Sequence, residues 1–138
     1  MSMTNLKNAK VGDTLPALTL PPVDRTMLAL FAGASGDHNR IHIDIDFARK
    51  AGSPDVFAHG MLSMAWLGRL LTQWADQRQL RGFGVRFTGI THLGHAISCT
   101  GKVVEKFSEG GEERLKLEIQ TANQWGDAKV VGDAVVAI

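Results

Sequence analysis

The chain has 138 residues, of which 44% are hydrophobic, and this is enough to build the core of one globular domain. A second domain has no room, so we predict a single domain over residues 1–138. The 15 Lys and Arg side chains are balanced by 14 Asp and Glu side chains, with a formal charge of +1 and no basic block. This balance removes any electrostatic reason to expect nucleic acid or a membrane surface as a partner.

The sequence has no pattern typical of secretion or membrane insertion. Residues 1–10 are polar and lack the apolar core of a signal peptide. The most apolar run, residues 61–71, is interrupted by Gly68 and Arg69 and is too short to span a bilayer. We therefore predict a cytoplasmic protein. The single cysteine, Cys99, excludes an intrachain disulfide, and we expect it to be a small core residue of a strand.

The N-terminal part of the chain predicts an edge strand followed by a helix. Residues 11–20 form a weak strand pattern that Pro16 interrupts and a Pro-Pro pair ends, as is typical of the edge of a sheet. Asp24 is a good N-cap, and apolar residues recur after it at helical spacing until Gly36 ends the helix. The residue that follows Gly36 therefore emerges from a fixed helix end.

A flap and a long apolar helix come next. Residues 42–46 alternate like a short strand and residues 47–52 resemble one helical turn, so we interpret residues 43–57 as a flap. The helix is predicted from about residue 58 to about residue 77. Apolar side chains cover nearly the whole circumference of its first half, so we expect a buried helix that the rest of the chain wraps on several sides.

The second half of the chain predicts a sheet. Alternating or apolar stretches over residues 83–93, 97–107, 114–121 and 128–138 are separated by short turn-like connections. Short loops imply antiparallel neighbours, so we predict a four-stranded meander that curls around the long helix. With the edge strand, the expected fold is α+β: a long central helix wrapped by a curved antiparallel sheet of about five strands.

The segment between the two helices offers an acid and a base. Asp37 and His42 are five residues apart in a loop opened by Gly36, so both side chains can reach one point. The carboxylate can then orient the imidazole, and the imidazole can move a proton. Taken alone, Asp37 also fits a turn or cap residue, and His42 also fits a core histidine.

The start of the long helix offers backbone donors. Its first turn leaves N–H groups without helical partners, and Gly60 lets a ligand approach them closely. An oxyanion is one candidate ligand there, and close packing is the alternative reason for the glycine. His59 is expected to hold the turn before the helix through a ring hydrogen bond.

These residues resemble the MaoC-like hydratase/dehydratase family, which includes R-specific enoyl-CoA hydratases and bacterial hydroxyacyl dehydratase subunits. The family pattern is small-Gly-Asp-x-Asn-Pro-aliphatic-His, followed later by His-Gly-Met. The chain departs from the pattern at Arg40, where the family usually has Pro. It matches the pattern at Gly36, Asp37, Asn39, Ile41, His42, His59, Gly60 and Met61.

The resemblance implies a hot-dog fold and a reaction. The reaction is the reversible hydration of a trans-2-enoyl thioester to the (R)-3-hydroxyacyl thioester, carried on coenzyme A or acyl carrier protein. Asp37 and His42 are then the groups that hold and activate water, and the Gly60 N–H is the donor to the enolate oxygen. Substrate binding is assigned to Asn39, His59 and Met61.

We expect no metal or redox cofactor. We expect the chain to form a homodimer or a higher homo-oligomer. The resemblance implies oligomers, and a curved sheet of about five strands leaves one edge open and covers an apolar helix poorly. A metal site at His42, Asp44 and Asp46 is the alternative, but no second histidine or cysteine cluster completes it and the spacing fails the calcium-loop pattern.

Two other functions compete with hydration. Hot-dog thioesterases use a carboxylate and a helix-terminal N–H on the same substrates, although His42 paired with Asp37 counts against that class. The second is a non-catalytic acyl-thioester-binding protein or partner subunit, in which we would expect Asp37 or His42 to be replaced. Both residues are present.

Overall fold

The computed structural model describes residues 6–138, and ten short elements follow one another along them. No described helix is long and apolar enough to cross a membrane. The helices and strands, in chain order, are β1 (Leu18–Thr19), α1 (Arg25–Ser35), a 3-10 helix (Arg40–His42), α2 (Ile45–Lys50), α3 (Gly60–Trp74), a second 3-10 helix (Gln77–Gln79), β2 (Leu80–Phe87), β3 (Ser98–Glu109), β4 (Glu112–Ala122) and β5 (Ala128–Ala137).

The five strands form one antiparallel sheet in the order β1-β3-β4-β5-β2. The predicted four-stranded meander is therefore wrong for β2, which pairs with β5 rather than with β3. The predicted strand over residues 83–93 ends at Phe87, and the ten residues that follow form a long connection instead of a tight turn. Within it, Thr91 accepts a hydrogen bond from the Ala58 N–H, which ties the connection to the start of α3.

The long helix α3 packs against the sheet and supplies the centre of the core. Leu67, Leu70 and Leu71 are at most 1% exposed, and they pack among inward-facing side chains of β3, β4 and β5. This is the hot-dog arrangement predicted from the sequence. The helix ends at Trp74, three residues before the predicted end, and it is not covered all round, because Met61 is 55% exposed.

The N-terminal predictions hold in outline. Strand β1 lies at one edge of the sheet, as expected, but only Leu18–Thr19 are paired as a strand and Thr14 forms an isolated bridge to Lys102. The Asp24 carboxylate accepts a 2.8 Å hydrogen bond from the Met27 N–H and caps α1. Gly36 ends α1 in the left-handed conformation with φ 78°, which glycine adopts without steric cost.

Residues 42–46 alternate like a short strand in the sequence, but they do not form one. His42 ends a 3-10 helix, and α2 begins at Ile45. The Asp44 carboxylate accepts hydrogen bonds from the backbone N–H groups of Asp46 and Phe47, so it caps α2. This local bonding outweighs the alternation of apolar and polar residues, because a capped helix end satisfies backbone donors that a lone strand would leave unpaired.

Cys99 lies in β3 and is fully buried, as predicted. Burial raises the pKa of its thiol to about 12, so the thiol stays protonated at neutral pH. Cys99 is therefore an unreactive core residue.

Candidate active site

The loop that carries Asp37 is held by a series of side-chain to backbone hydrogen bonds. The Ser35 hydroxyl accepts from the Asp37 N–H, and the Asp37 carboxylate accepts from the Asn39 N–H, each over 3.1 Å. Asn39 continues the series, since its side-chain oxygen accepts from the Ile41 N–H and caps the 3-10 helix. Short polar side chains thus fix the path from the end of α1 to His42.

His42 is oriented from the opposite side by the flap. Its Nδ1 lies 2.8 Å from the carbonyl oxygen of Phe57, and a ring nitrogen can only donate to a carbonyl. In the neutral ring, Nε2 therefore carries the lone pair that can accept a proton. The phenyl ring of Phe57 meets the imidazole edge to face, with 5.3 Å between ring centroids.

The structure brings together the acid and the base predicted from the sequence. A carboxylate oxygen of Asp37 and one ring nitrogen each from His42 and His59 all lie within 4.8 Å of one another. Asp37 is exposed and His42 is half-buried, so a small molecule can reach both. Among the described residues this is also the set that could hold a divalent ion. The alternative metal site at His42, Asp44 and Asp46 does not form, because these residues do not lie on one face of a strand. Asp44 instead caps α2 and pairs with Arg40.

His59 lies beneath this pair and is 1% exposed. Its Nε2 donates to the backbone carbonyl of Asp37 over 3.1 Å, and its ring stacks on that of His42 with centroids 4.0 Å apart and planes 28° apart. Burial lowers the pKa of His59, which favours the neutral ring. The turn-holding hydrogen bond predicted for His59 is therefore present, and it reaches the candidate acid. The substrate-binding role of His59 stays a prediction.

Gly60 begins α3 and lines a cavity of about 190 Å³ together with His42. The first N–H groups of a helix have no partner within the helix and carry the positive end of its dipole. The cavity therefore places backbone donors opposite the imidazole. Its other lining residues are Phe57, Ala58, Ser63, Phe87, Gly89, Ile90, Thr91 and Val130.

A second cavity, of about 510 Å³, lies on the other side of Asp37 and is mostly apolar. It runs along the uncovered side of α3, where Met61 faces it. Asp37 lines this groove while His42 lines the smaller cavity, so the pair stands where the two meet. The groove is lined by Phe31, Ser35, Asp37, Met61, Met64, Ala65 and Phe83.

Arg40, which replaces the usual proline, does not disturb the loop. It is the first residue of the 3-10 helix, a position that suits proline because of its fixed φ and its missing N–H. Its side chain points away to Asp44, with a 2.8 Å ion pair, and lies 5.1 Å from the centroid of the Phe47 ring. The guanidinium therefore makes its contacts with Asp44 and Phe47, away from Asp37 and His42.

Sequence reasoning missed Phe57, Phe87 and Ser63. Phe57 acts through its backbone carbonyl, which no side-chain pattern reveals. Phe87 comes from the far edge strand and reaches Gly60 only because β2 lies beyond β5. Ser63 is a buried hydroxyl one turn into α3, and its position two residues after the His-Gly-Met motif was the available signal.

Comparisons with known proteins agree with this geometry. The family described as "MaoC like domain" matches residues 7–123. The structure of R-hydratase PhaJ1 from Pseudomonas aeruginosa superposes with a TM-score of 0.81 and 29% identity, over 93% of this chain and 81% of that one. The structure of the ChsH1-ChsH2 complex from Mycobacterium tuberculosis shares the fold, with a TM-score of 0.81 and 24% identity over 94% of this chain and 98% of that one.

A curated relative is far longer than this chain. Fatty acid synthase subunit beta from Saccharomyces cerevisiae is 30% identical over an alignment of 94 residues, and the match covers 60% of this chain and only 5% of the yeast subunit. The chain thus corresponds to a small part of that protein. Together with the Asp37, His42 and Gly60 geometry, the match over residues 7–123 shows that the chain belongs to the MaoC-like hydratase/dehydratase family.

Proposed function

We propose that this chain catalyses the reversible hydration of trans-2-enoyl thioesters to (R)-3-hydroxyacyl thioesters. The observation that carries the proposal is the Asp37 carboxylate within 4.8 Å of the His42 ring, in a site that also contains the first residue of α3. Family membership supports hydratase or dehydratase chemistry in general. The substrate and the residue roles are our proposal.

The proposed mechanism assigns one task to each group. Asp37 and His42 hold a water molecule, and His42 Nε2 is the available acceptor because Nδ1 already donates to Phe57. As the water oxygen bonds to the β-carbon, one water proton passes to the Asp37 and His42 pair, and a proton from the pair is delivered to the α-carbon. Charge that builds on the thioester oxygen is stabilised by the Gly60 N–H at the start of α3.

The same chemistry argues against a cofactor. Net addition of water changes no overall oxidation state, so no redox group is needed, and the helix N-terminus supplies the electrostatic stabilisation that a metal ion would otherwise provide. We therefore propose that the enzyme uses none. The acyl chain is proposed to enter the end of the apolar groove next to Asp37 and Met61, and the carrier is proposed to be coenzyme A or acyl carrier protein.

Crotonyl-CoA tests the proposal directly. Hydration removes its conjugated double bond, so purified protein is expected to lower the absorbance of the enoyl thioester, and chromatography on a chiral phase should identify the (R) product. The thioesterase alternative predicts release of free coenzyme A thiol instead. An unchanged absorbance with crotonyl and longer enoyl thioesters on both carriers would reject the proposal.

We also propose that the chain forms a homodimer or a higher homo-oligomer. Strand β2 is an edge strand bonded to β5 on one side, and Met61, Met64 and Ala65 leave an apolar strip of α3 uncovered beside it. Open strand edges and uncovered apolar faces are the features that subunit contacts remove.

Substitution of Met64 by Glu is expected to give a monomer. A carboxylate on the uncovered strip opposes burial against a second subunit, because removing its charge from water costs on the order of several kcal/mol. The mass measured by light scattering should fall from at least twice 14.9 kDa to 14.9 kDa at micromolar concentration. Leu30→Glu, at a 70% exposed position of α1, is the control and should leave the mass unchanged. A wild-type monomer would contradict the proposal.

A further inference from the structure

His59 touches both members of the proposed catalytic pair. Its Nε2–H group donates to the Asp37 carbonyl, and its ring lies flat against the His42 imidazole. The edge of the Phe31 ring packs against it from another side, with centroids 4.9 Å apart. Asp37 and His42 come from the loop after α1, while His59 comes from the start of α3, so this ring joins the two halves of the site.

The other nitrogen of His59 makes the histidine costly to keep. Nδ1 is buried without a hydrogen-bond partner, and it is the one such side-chain atom found among residues 6–138. An unpaired buried polar atom typically costs about 1–3 kcal/mol of stability. A phenylalanine at this position would avoid that cost and keep the stacking surface, so packing alone does not account for a histidine here.

We propose that His59 is a positioning residue, which acts through Asp37 and His42 rather than on the substrate. This inference rests on the proposed hydration. The hydrogen bond to the Asp37 carbonyl fixes the backbone from which the carboxylate projects. The stacked ring supports the face of His42, so that rotation about its side-chain bonds cannot carry Nε2 away from the water.

The surroundings favour the protonation state that this role requires. Burial lowers the pKa of His59, and the nearby His42 ring lowers it further, while the hydrogen bond to Asp37 opposes both effects. The neutral ring with its proton on Nε2 donates to Asp37 and places no positive charge beneath the base. Asp37 and His42 are the titratable groups that act on His59.

Two substitutions separate the two contacts. His59→Phe keeps a ring against His42 but removes the donor, whereas His59→Gln keeps an N–H donor within reach of the Asp37 carbonyl but removes the ring. We expect His59→Phe to lower kcat by about tenfold to a hundredfold, because small misplacements of catalytic groups have effects of that size. KM should change by less than about twofold, since no substrate contact is lost. His59→Gln should recover part of the lost kcat.

Thermal unfolding distinguishes a positioning role from a merely structural one, because a structural role predicts that stability and kcat fall together. The phenylalanine variant loses the unpaired Nδ1 but also loses the hydrogen bond to the Asp37 carbonyl, so the two effects offset each other and it is expected to melt close to the wild-type temperature, although it turns over more slowly. If the phenylalanine variant fails to fold, His59→Leu replaces it as the variant without a donor. We then expect kcat to decrease from the wild type to His59→Gln to His59→Leu. Wild-type kcat in the folded Phe or Leu variant would overturn the proposal, as would an effect confined to KM.

A spectroscopic measurement keeps this inference separate from the reaction. Nitrogen NMR of the His42 ring reports its tautomer without substrate, and we expect the Nδ1–H form in the wild type and a mixture of tautomers in His59→Gln, which removes the stacked ring. His95 is a matched control, because burial also lowers its pKa but its ring contacts are with His92 and Trp125. His95→Gln should leave the His42 signals unchanged. Unchanged signals in His59→Gln would reject the positioning role of the His59 ring even in a protein without hydratase activity.

Discussion

Asp37→Asn and His42→Asn are each expected to lower the hydration rate by at least about a hundredfold while the protein stays folded, since a general acid or base contributes on that scale. The structure makes both substitutions conservative. An asparagine at 37 keeps the oxygen that accepts the Asn39 N–H, so the loop retains its path. An asparagine at 42 offers an N–H near the position of Nδ1, so the contact with the Phe57 carbonyl can persist. Each variant therefore removes proton transfer and little else.

Initial rates on crotonyl-CoA, together with thermal unfolding, measure this effect. The loss should appear in kcat and in kcat/KM, because the groups act on the transition state more than on the bound substrate. Asp46→Asn is the matched control, since this acid lies in the first turn of α2, outside the pair. Near-normal activity in both the Asp37 and the His42 variants would mean that the chemistry occurs elsewhere. An equal loss in the Asp46 variant would point to the loop fold instead.

The two variants also test whether the pair acts as a unit. Groups that act together are not additive, so the double variant should be about as slow as the slower single variant. Additive losses would show that Asp37 and His42 serve separate steps, for example water activation and protonation of the α-carbon.

Local signals made much of this site predictable from the sequence. Asp24 and Gly36 mark the ends of α1 through capping and left-handed backbone, which depend on a few neighbouring residues. They place Asp37 at a defined point, and the five-residue spacing then allows the His42 side chain to reach it. The long helix and the inward faces of β3, β4 and β5 follow from apolar periodicity in the same way.

Contacts between distant parts of the chain were not predictable. The position of β2 beyond β5 depends on a ten-residue connection that is held by backbone hydrogen bonds to distant segments, among them the bond from Ala58 to Thr91. Such bonds join two backbones and leave no mark on side-chain type. The stacking of His59 on His42 depends on the same assembly, so the sequence indicates a histidine with a structural task but not the ring it supports. The strand-like alternation at residues 42–46 does not produce a strand, because Asp44 caps a helix and period-two alternation over five residues is a weak signal.

Gly60→Val is expected to damage catalysis more than substrate binding or stability. A Cβ at this position would lie 3.0 Å from a ring carbon of Phe87 and 3.1 Å from another. Both atoms belong to the far end of a side chain that is 54% exposed, so the ring can move aside at small cost. The Gly60 backbone is also outside the left-handed region, so a side chain there meets no conformational strain. Packing and backbone strain therefore give little reason for a large loss of stability.

The catalytic cost has a different origin. The branched side chain would enter the cavity that Gly60 and His42 share, at the place where the thioester oxygen must approach the first N–H groups of α3. Loss of one such donor typically lowers the rate by about a hundredfold or more. The substrate would still bind through its acyl chain and carrier, so kcat and kcat/KM should fall together with little change in KM.

Gly60→Ala serves as the graded control for this position. Its single methyl group meets only the Phe87 ring, so we expect a rate between those of the wild type and the valine variant. Kinetics and thermal unfolding on the same preparations distinguish the two reasons for the glycine. If Gly60→Val melts many degrees lower yet turns over normally while folded, the glycine serves close packing at the helix start and the thioester oxygen is stabilised by another group.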